Sequence, residues 1–215
     1  MKSKENIKKL LINLVSYIFG SSFIYIFLGL FLNINKVCLK MLSSIIIWII
    51  LIIFNIKEIK ENYKKFNIHS KEKWNITIKY YICGLILMIL SNFIINTFTH
   101  TLPINEAQNR IVVNKYPIYS LISMVMVAPL LEEITFRLSF KNVFKDKNLF
   151  LLISTFIFGF IHVFFNGDYI NIIPYMALGY FLGKIYYETD NLFYSYLIHA
   201  AHNLICIIMI FMGGI

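Results

Sequence analysis

Charge is scarce in this chain of 215 residues: Asp, Glu, Lys and Arg make up only 14% of it, against 59% hydrophobic residues. Ordinary soluble domains are about one quarter charged, so this composition excludes that class. Proline (4) and glycine (9) are also few. No Pro-rich or Gly/Ser-rich linker divides the chain, and a single integral-membrane domain over residues 1–215 is expected. The cysteines, Cys38, Cys83 and Cys206, share no CxxC-like spacing. That removes a disulfide framework and a thiolate metal site, and leaves them as expected small buried apolar residues. P-loop, GxGxxG, HExxH and GxSxG patterns are absent, which removes the commonest ATPase, zincin and serine-hydrolase readings.

What the chain does contain is apolar runs, about 10–34, 38–56, 79–99, 117–136, 148–165, 170–187 and 192–212. Each is long enough to cross a hydrocarbon core about 30 Å thick at about 1.5 Å per residue. Backbone groups have no water partner in lipid, so spans of this length are helices, and the ten-residue alternation of an outer-membrane barrel is missing. The fold class is an all-α polytopic membrane bundle of about seven transmembrane helices. The N-terminus begins like a signal peptide, but its apolar part has no small-residue cleavage site and reads as the first anchor. With the N-terminus cytoplasmic, 16 of the 20 Lys and Arg fall in cytoplasmic segments and four outside, the asymmetry that fixes orientation. The net charge of +9 therefore serves topology and anionic headgroups; the lipid bilayer is the expected partner and nucleic acid is not. The connector from Lys57 to Lys79 is read as a surface-lying cytoplasmic segment able to form an interfacial helix. The outer segment 99–117 is read as a surface loop able to gate access; His100 in it has no partner spacing and no assigned role.

Polar residues inside the spans concentrate in the last four. "APLLEEITFR" carries Glu132, Glu133 and Arg137, each costing at least about 2.5 kcal/mol at the centre of a bilayer. On an α-helix, Glu133 and Arg137, four apart, share a face, whereas Glu132 points about 100° away. Glu133 is thus expected to pair with Arg137 and hold the helix, leaving Glu132 free for chemistry. Pro129 cannot donate to the carbonyl of Val125, so a kink and a freed carbonyl are expected beside the carboxylates. Counting from a turn at the polar "KDK" of 145–147, Glu132 and His162 come to similar depth in an antiparallel hairpin, within about 3 Å. Matching His162 to His199 in depth requires the start of the fifth span to protrude or be covered by protein. His199 and Asn203, four apart in the last span, offer an imidazole and an amide on one face, suited to an oxyanion. His202 is a neighbouring partner or a packing residue. Gly179 and Gly183 form a small-xxx-small pattern for close helix packing.

A carboxylate, two imidazoles and an amide suit water activation and oxyanion stabilisation. Glu132, His162 and His199 could alternatively bind a divalent metal such as zinc. The three motifs, EExxxR as "EEITFR", FxxxH as "FGFIH" (Phe158 to His162) and HxxxN as "HAAHN" (His199 to Asn203), resemble those of the CPBP group of intramembrane proteases. That group is also called Abi or CAAX-protease-like and is related to the type II CAAX prenyl endopeptidase. The resemblance covers about residues 117–212 as a protease core, and the first three spans carry no motif. It implies Glu132 and His162 as the water-activating pair and His199 with Asn203 as the oxyanion hole. Family members are often labelled metalloproteases, although the prenyl endopeptidase is usually described with a metal-independent glutamate mechanism. Leu138 departs from the Gly that often follows Arg. Ile, Lys and Asn richness points to an AT-rich bacterial genome and a plasma-membrane location, with a peptide or bacteriocin-related protein as substrate. The alternatives are a non-enzymatic bacteriocin-immunity or peptide-binding membrane protein, or a small transporter relaying protons through Glu132 and His162.

Overall fold

A computed structural model describes residues 2–100 and 103–213, with only the backbone of Lys2. Thr101 and Leu102 of the expected outer segment lie outside the described residues. The described residues form helices and no strand: α1 (Lys2–Gly29), α2 (Lys36–Phe54), α3 (Ile56–Lys65), α4 (Lys71–Thr99), α5 (Ile104–Lys115), α6 (Pro117–Val143), α7 (Lys147–Phe164), α8 (Ile172–Thr189) and α9 (Leu192–Phe211). The chain is an all-α polytopic bundle and an integral membrane protein: six of these helices, α1, α2, α4, α6, α7 and α9, are long and apolar enough to cross a membrane. The expected seventh span, 170–187, is present as helix α8, which is less apolar than the other six. Tyr175, Tyr180, Tyr186, Tyr187, Lys184 and Glu188 dilute its apolar run. It runs between α4 and α7, and it does so closely because glycines remove the obstacles. A Cβ on Gly179 would lie 2.7 Å from Phe158 Cδ1, one on Gly183 3.1 Å from Leu151, and one on Gly84 of α4 2.9 Å from Phe181.

Local sequence sets the boundaries. The turn expected at 145–147 is there, with the Asp146 carboxylate accepting from the Leu149 N–H at 2.8 Å to cap α7. Asn35 and Asn191 cap α2 and α9 in the same way. The connector after Lys57 holds the surface helix α3, with no buried residue. α4 then starts at Lys71, eight residues before the expected 79, because Phe66 and Trp74 pack on Tyr194 (ring centroids 4.9 and 5.3 Å) and draw that polar turn onto the start of α9. Asn62 also caps α9 from outside, its side-chain oxygen accepting from Leu192 N–H at 2.9 Å. The cysteine expectation needs correction at two positions. Cys38 and Cys83 are exposed on the bundle surface. Each sits one residue off its helix's buried stripe, beside Leu39 and Gly84 respectively, so its side chain turns away from the core.

The helix that matters most is α6. It is continuous from Pro117 to Val143 but alternates between α-helical turns and two π-helical segments, Leu121–Val127 and Glu133–Ser139. Every residue from Leu131 to Phe140 is buried, so this stretch is surrounded on all sides rather than presenting one apolar stripe. One wall is polar. Asn13 of α1 donates to Ser139 Oγ at 2.8 Å and exchanges hydrogen bonds with Asn55 at 3.1 and 2.9 Å, all three buried. Ser139 in turn donates to the Ile134 carbonyl, five residues back, at 2.9 Å. The first two spans, which carry no motif, are thereby fastened to the helix that carries the carboxylates. Lys9 with Glu58 and Lys147 with Glu188 close further ion pairs at the same end of the bundle.

Candidate active site

The π turn of α6 changes how the charged triplet is used. In an α-helix residues four apart align, but a π turn takes more residues to complete. Arg137 Nε and Glu133 Oε2 are consequently 3.5 Å apart, an ion pair without hydrogen-bond geometry. Both residues are 0% exposed. None of the three guanidinium nitrogens of Arg137 has a hydrogen-bond partner; instead the guanidinium lies over the Phe158 ring, 4.8 Å from its centroid. The expected pairing of Glu133 with Arg137 is present, and the two carboxylates in addition share one neighbour. The imidazole of His199 lies between them. Its Nδ1 hydrogen-bonds Glu133 Oε1 at 3.1 Å, and its Nε2 stands 3.6 Å from Glu132 Oε2. His199, in α9, touches both acids because its two ring nitrogens face opposite ways. Glu133 therefore serves Arg137 and His199 together.

Glu132 has a partner that the motifs do not include. Tyr17 of α1 donates its hydroxyl to Glu132 Oε1 at 2.7 Å and packs edge-on against Phe136, centroids 5.4 Å apart. A signal for it exists in the sequence: Asn13 and Tyr17 are four apart in an apolar run, hence on one helix face. That face meets α6.

His162 goes elsewhere. It makes no hydrogen bond to either carboxylate; its Nδ1 is bonded to the Phe158 carbonyl at 2.7 Å, and its ring stacks on Tyr175 at 4.7 Å. Phe158 packs against both imidazoles, with centroid distances of 4.6 Å to His162 and 6.2 Å to His199. One buried ring thus touches Arg137, His162 and His199. Gly179 makes room for that ring, and we expect Gly179→Ala to displace it and cost about 1 to 3 kcal/mol, the range for overpacking a filled core. Thermal unfolding in detergent measures this, and an unchanged midpoint would show that the ring moves freely.

Asn203 shares its helix face with His199, as expected. Its Nδ2 donates to the Met124 carbonyl at 2.8 Å. The carbonyl freed by Pro129 is accordingly not that of Val125. In the π segment Ala128 N–H bonds the Ser123 carbonyl five residues back, so the next carbonyl in that register, that of Met124, faces the proline, which has no N–H. Asn203 supplies the missing donor and keeps a second amide hydrogen uncommitted. His202 is buried and sits apart, its Nδ1 3.2 Å from the Tyr81 hydroxyl and its Nε2 3.7 Å from Cys206 Sγ.

The donor set does not fit a metal centre. Among the described residues no three His, Cys, Asp or Glu side chains are grouped so as to hold an ion, and of the expected set Glu132, His162 and His199, only the first and last meet.

Three comparisons with known proteins bear on this geometry. Residues 114–205 match the family model for type II CAAX prenyl endopeptidase Rce1-like proteins. An uncharacterized protein of Mycoplasma capricolum subsp. capricolum is 34% identical over 96 residues, 44% of this chain and 28% of that protein. UPF0177 protein YbdI of Lactococcus lactis subsp. lactis is 25% identical over 149 residues, 65% of this chain and 81% of that protein. The chain thus spans 28% of the length of the first relative and 81% of the second. No solved structure matches. The matched segment holds Glu132, Glu133, Arg137, His162, His199 and Asn203, and leaves out Tyr17. Over residues 114–205 the chain is thus similar to the type II CAAX prenyl endopeptidase Rce1-like family, the likeness that the three motifs imply.

Proposed function

We propose that the protein is an intramembrane endopeptidase of a bacterial plasma membrane, cleaving a membrane-associated peptide or protein. The observation that carries this reading is the placement of Glu132: a carboxylate held by the Tyr17 hydroxyl on one oxygen and facing the His199 imidazole with the other. Glu132 takes a proton from water as the water oxygen bonds to the scissile carbonyl carbon. The carbonyl oxygen becomes an oxyanion. Asn203, already anchored on Met124, offers its second N–H to it. His199, fixed through Nδ1 by Glu133, presents Nε2–H when it is an imidazolium. Collapse of the tetrahedral species breaks the C–N bond, and Glu132 returns its proton to the leaving amine. Glu133 and Arg137 orient the imidazole and do not touch substrate.

The test is direct. The full chain is reconstituted in liposomes with a bacterial membrane-protein extract, and new protein N-termini are read by mass spectrometry. We expect termini that appear with the wild type and are missing with Glu132→Gln. If the two proteins yield the same termini, the reading fails and the residues are left as a peptide-binding site.

A further inference from the structure

A second candidate site, lined by none of the residues around the carboxylates, lies between α4, α7 and α8. α8 forms the floor of a groove of about 830 Å³, walled by α4 and α7. Leu87, Leu90 and Ile94 line one wall, Leu151 and Leu152 the other, and Ala177 the floor. Leu87, Leu90, Ile94 and Leu152 are 49 to 65% exposed, so the groove opens along its length onto the surface that faces lipid. Its two ends differ in kind. At one end Ile94 and Ile173 close it without a charge. At the other, Tyr180 lines the groove and Lys184, one turn on, lies over the rings of Tyr180 and Tyr80, 5.4 and 5.2 Å from their centroids. Lys79 lies over Tyr80 as well, at 5.8 Å. Neither lysine is in an ion pair among the described residues, and Asn148 adds an amide at the same mouth. Lys147 is close by but is neutralised by Glu188.

We infer that this groove binds one phospholipid with an anionic headgroup, its phosphate at Lys79 and Lys184 and its acyl chains along the apolar walls. Two features choose this occupant over a transmembrane helix. From Lys184 to Ile173 the floor runs 11 residues, about 16 Å at 1.5 Å per residue, which is about half of a hydrocarbon core of about 30 Å. That length fits one leaflet, whereas a helix would need a stripe through both. The polarity also fits: basic residues with aromatic faces at one end, where a headgroup lies, and apolar side chains beyond. Buried Thr155, whose hydroxyl has no hydrogen-bond partner, is one of the few polar groups along the walls. The inference is independent of the proposed chemistry, since no residue of the active site lines the groove.

The test is native mass spectrometry of the purified full chain, incubated with equal amounts of phosphatidylglycerol and phosphatidylcholine carrying the same acyl chains. Two lysines each favouring an anionic lipid give a preference on the order of tenfold for phosphatidylglycerol. Lys79→Gln with Lys184→Gln, at one exposed and one half-buried position outside the core, is expected to reduce phosphatidylglycerol to the level of phosphatidylcholine. Ala177→Trp, which fills the floor, is expected to lower retention of both. Equal retention of the two lipids by the wild type overturns the proposal, as does unchanged retention in Ala177→Trp. So does cross-linking of two chains through Leu152→Cys in lipid, which would make a second copy the occupant.

Discussion

Arg137→Met is expected to destabilise the protein by about 3 kcal/mol or more, because it strands Glu133 as a buried charge. Both side chains are 0% exposed, and the guanidinium has no hydrogen bond, only the ion pair at 3.5 Å and the face of Phe158. Geometry of that quality recovers little of the desolvation penalty, so the pair as a unit contributes little stability even though each half depends on the other. It follows that Glu133→Gln combined with Arg137→Met should regain most of what Arg137→Met alone loses. Unfolding by denaturing detergent in mixed micelles measures all three proteins on one scale. If the double variant is no better than Arg137→Met alone, the ion pair is not the reason the arginine is buried. Its contact with Phe158 would then be the larger part, since that ring also packs against His162 and His199.

The triplet Glu132, Glu133 and Arg137 illustrates which structural features the sequence made legible. Cost in lipid and helical spacing were enough to single out those residues, His199 and Asn203, because both arguments depend on composition and local period alone. The same spacing argument did not foresee that one imidazole, His199, would reach both carboxylates, or that His162 would bond the Phe158 carbonyl. It assumed 3.6 residues per turn throughout α6, and no residue pattern announces a π turn. Pro129 did announce a freed carbonyl, but which one depends on the register, so Val125 was named in place of Met124. Tyr17 went unseen for a different reason: a tyrosine in a membrane span is commonplace at interfaces, and only the arrival of α1 against α6 gives its hydroxyl a carboxylate. The seventh expected span is present as helix α8, but four tyrosines and two charges make it less apolar than the other six.

Once a cleavage site is known from the new termini, Glu132→Gln should lower kcat/KM by about 10²- to 10⁴-fold, the range for removing a general base. Tyr17→Phe should lower it about tenfold or more, since a hydrogen bond to a charged group contributes about 1.5 to 3 kcal/mol and each 1.4 kcal/mol is a factor of ten. In both, the loss should fall on kcat with KM little changed, because neither side chain contacts the substrate except through the attacking water. The two effects should also be far from additive: without a carboxylate to hold, the Tyr17 hydroxyl has little left to do. A double variant that falls by the product of the single losses would mean that Tyr17 acts through packing on Phe136 and not through Glu132. Full activity in Tyr17→Phe would make α1 a scaffold that only covers α6. The expected outcome instead assigns α1, which lies outside the segment of family likeness, a positioning role at the carboxylate proposed to activate water.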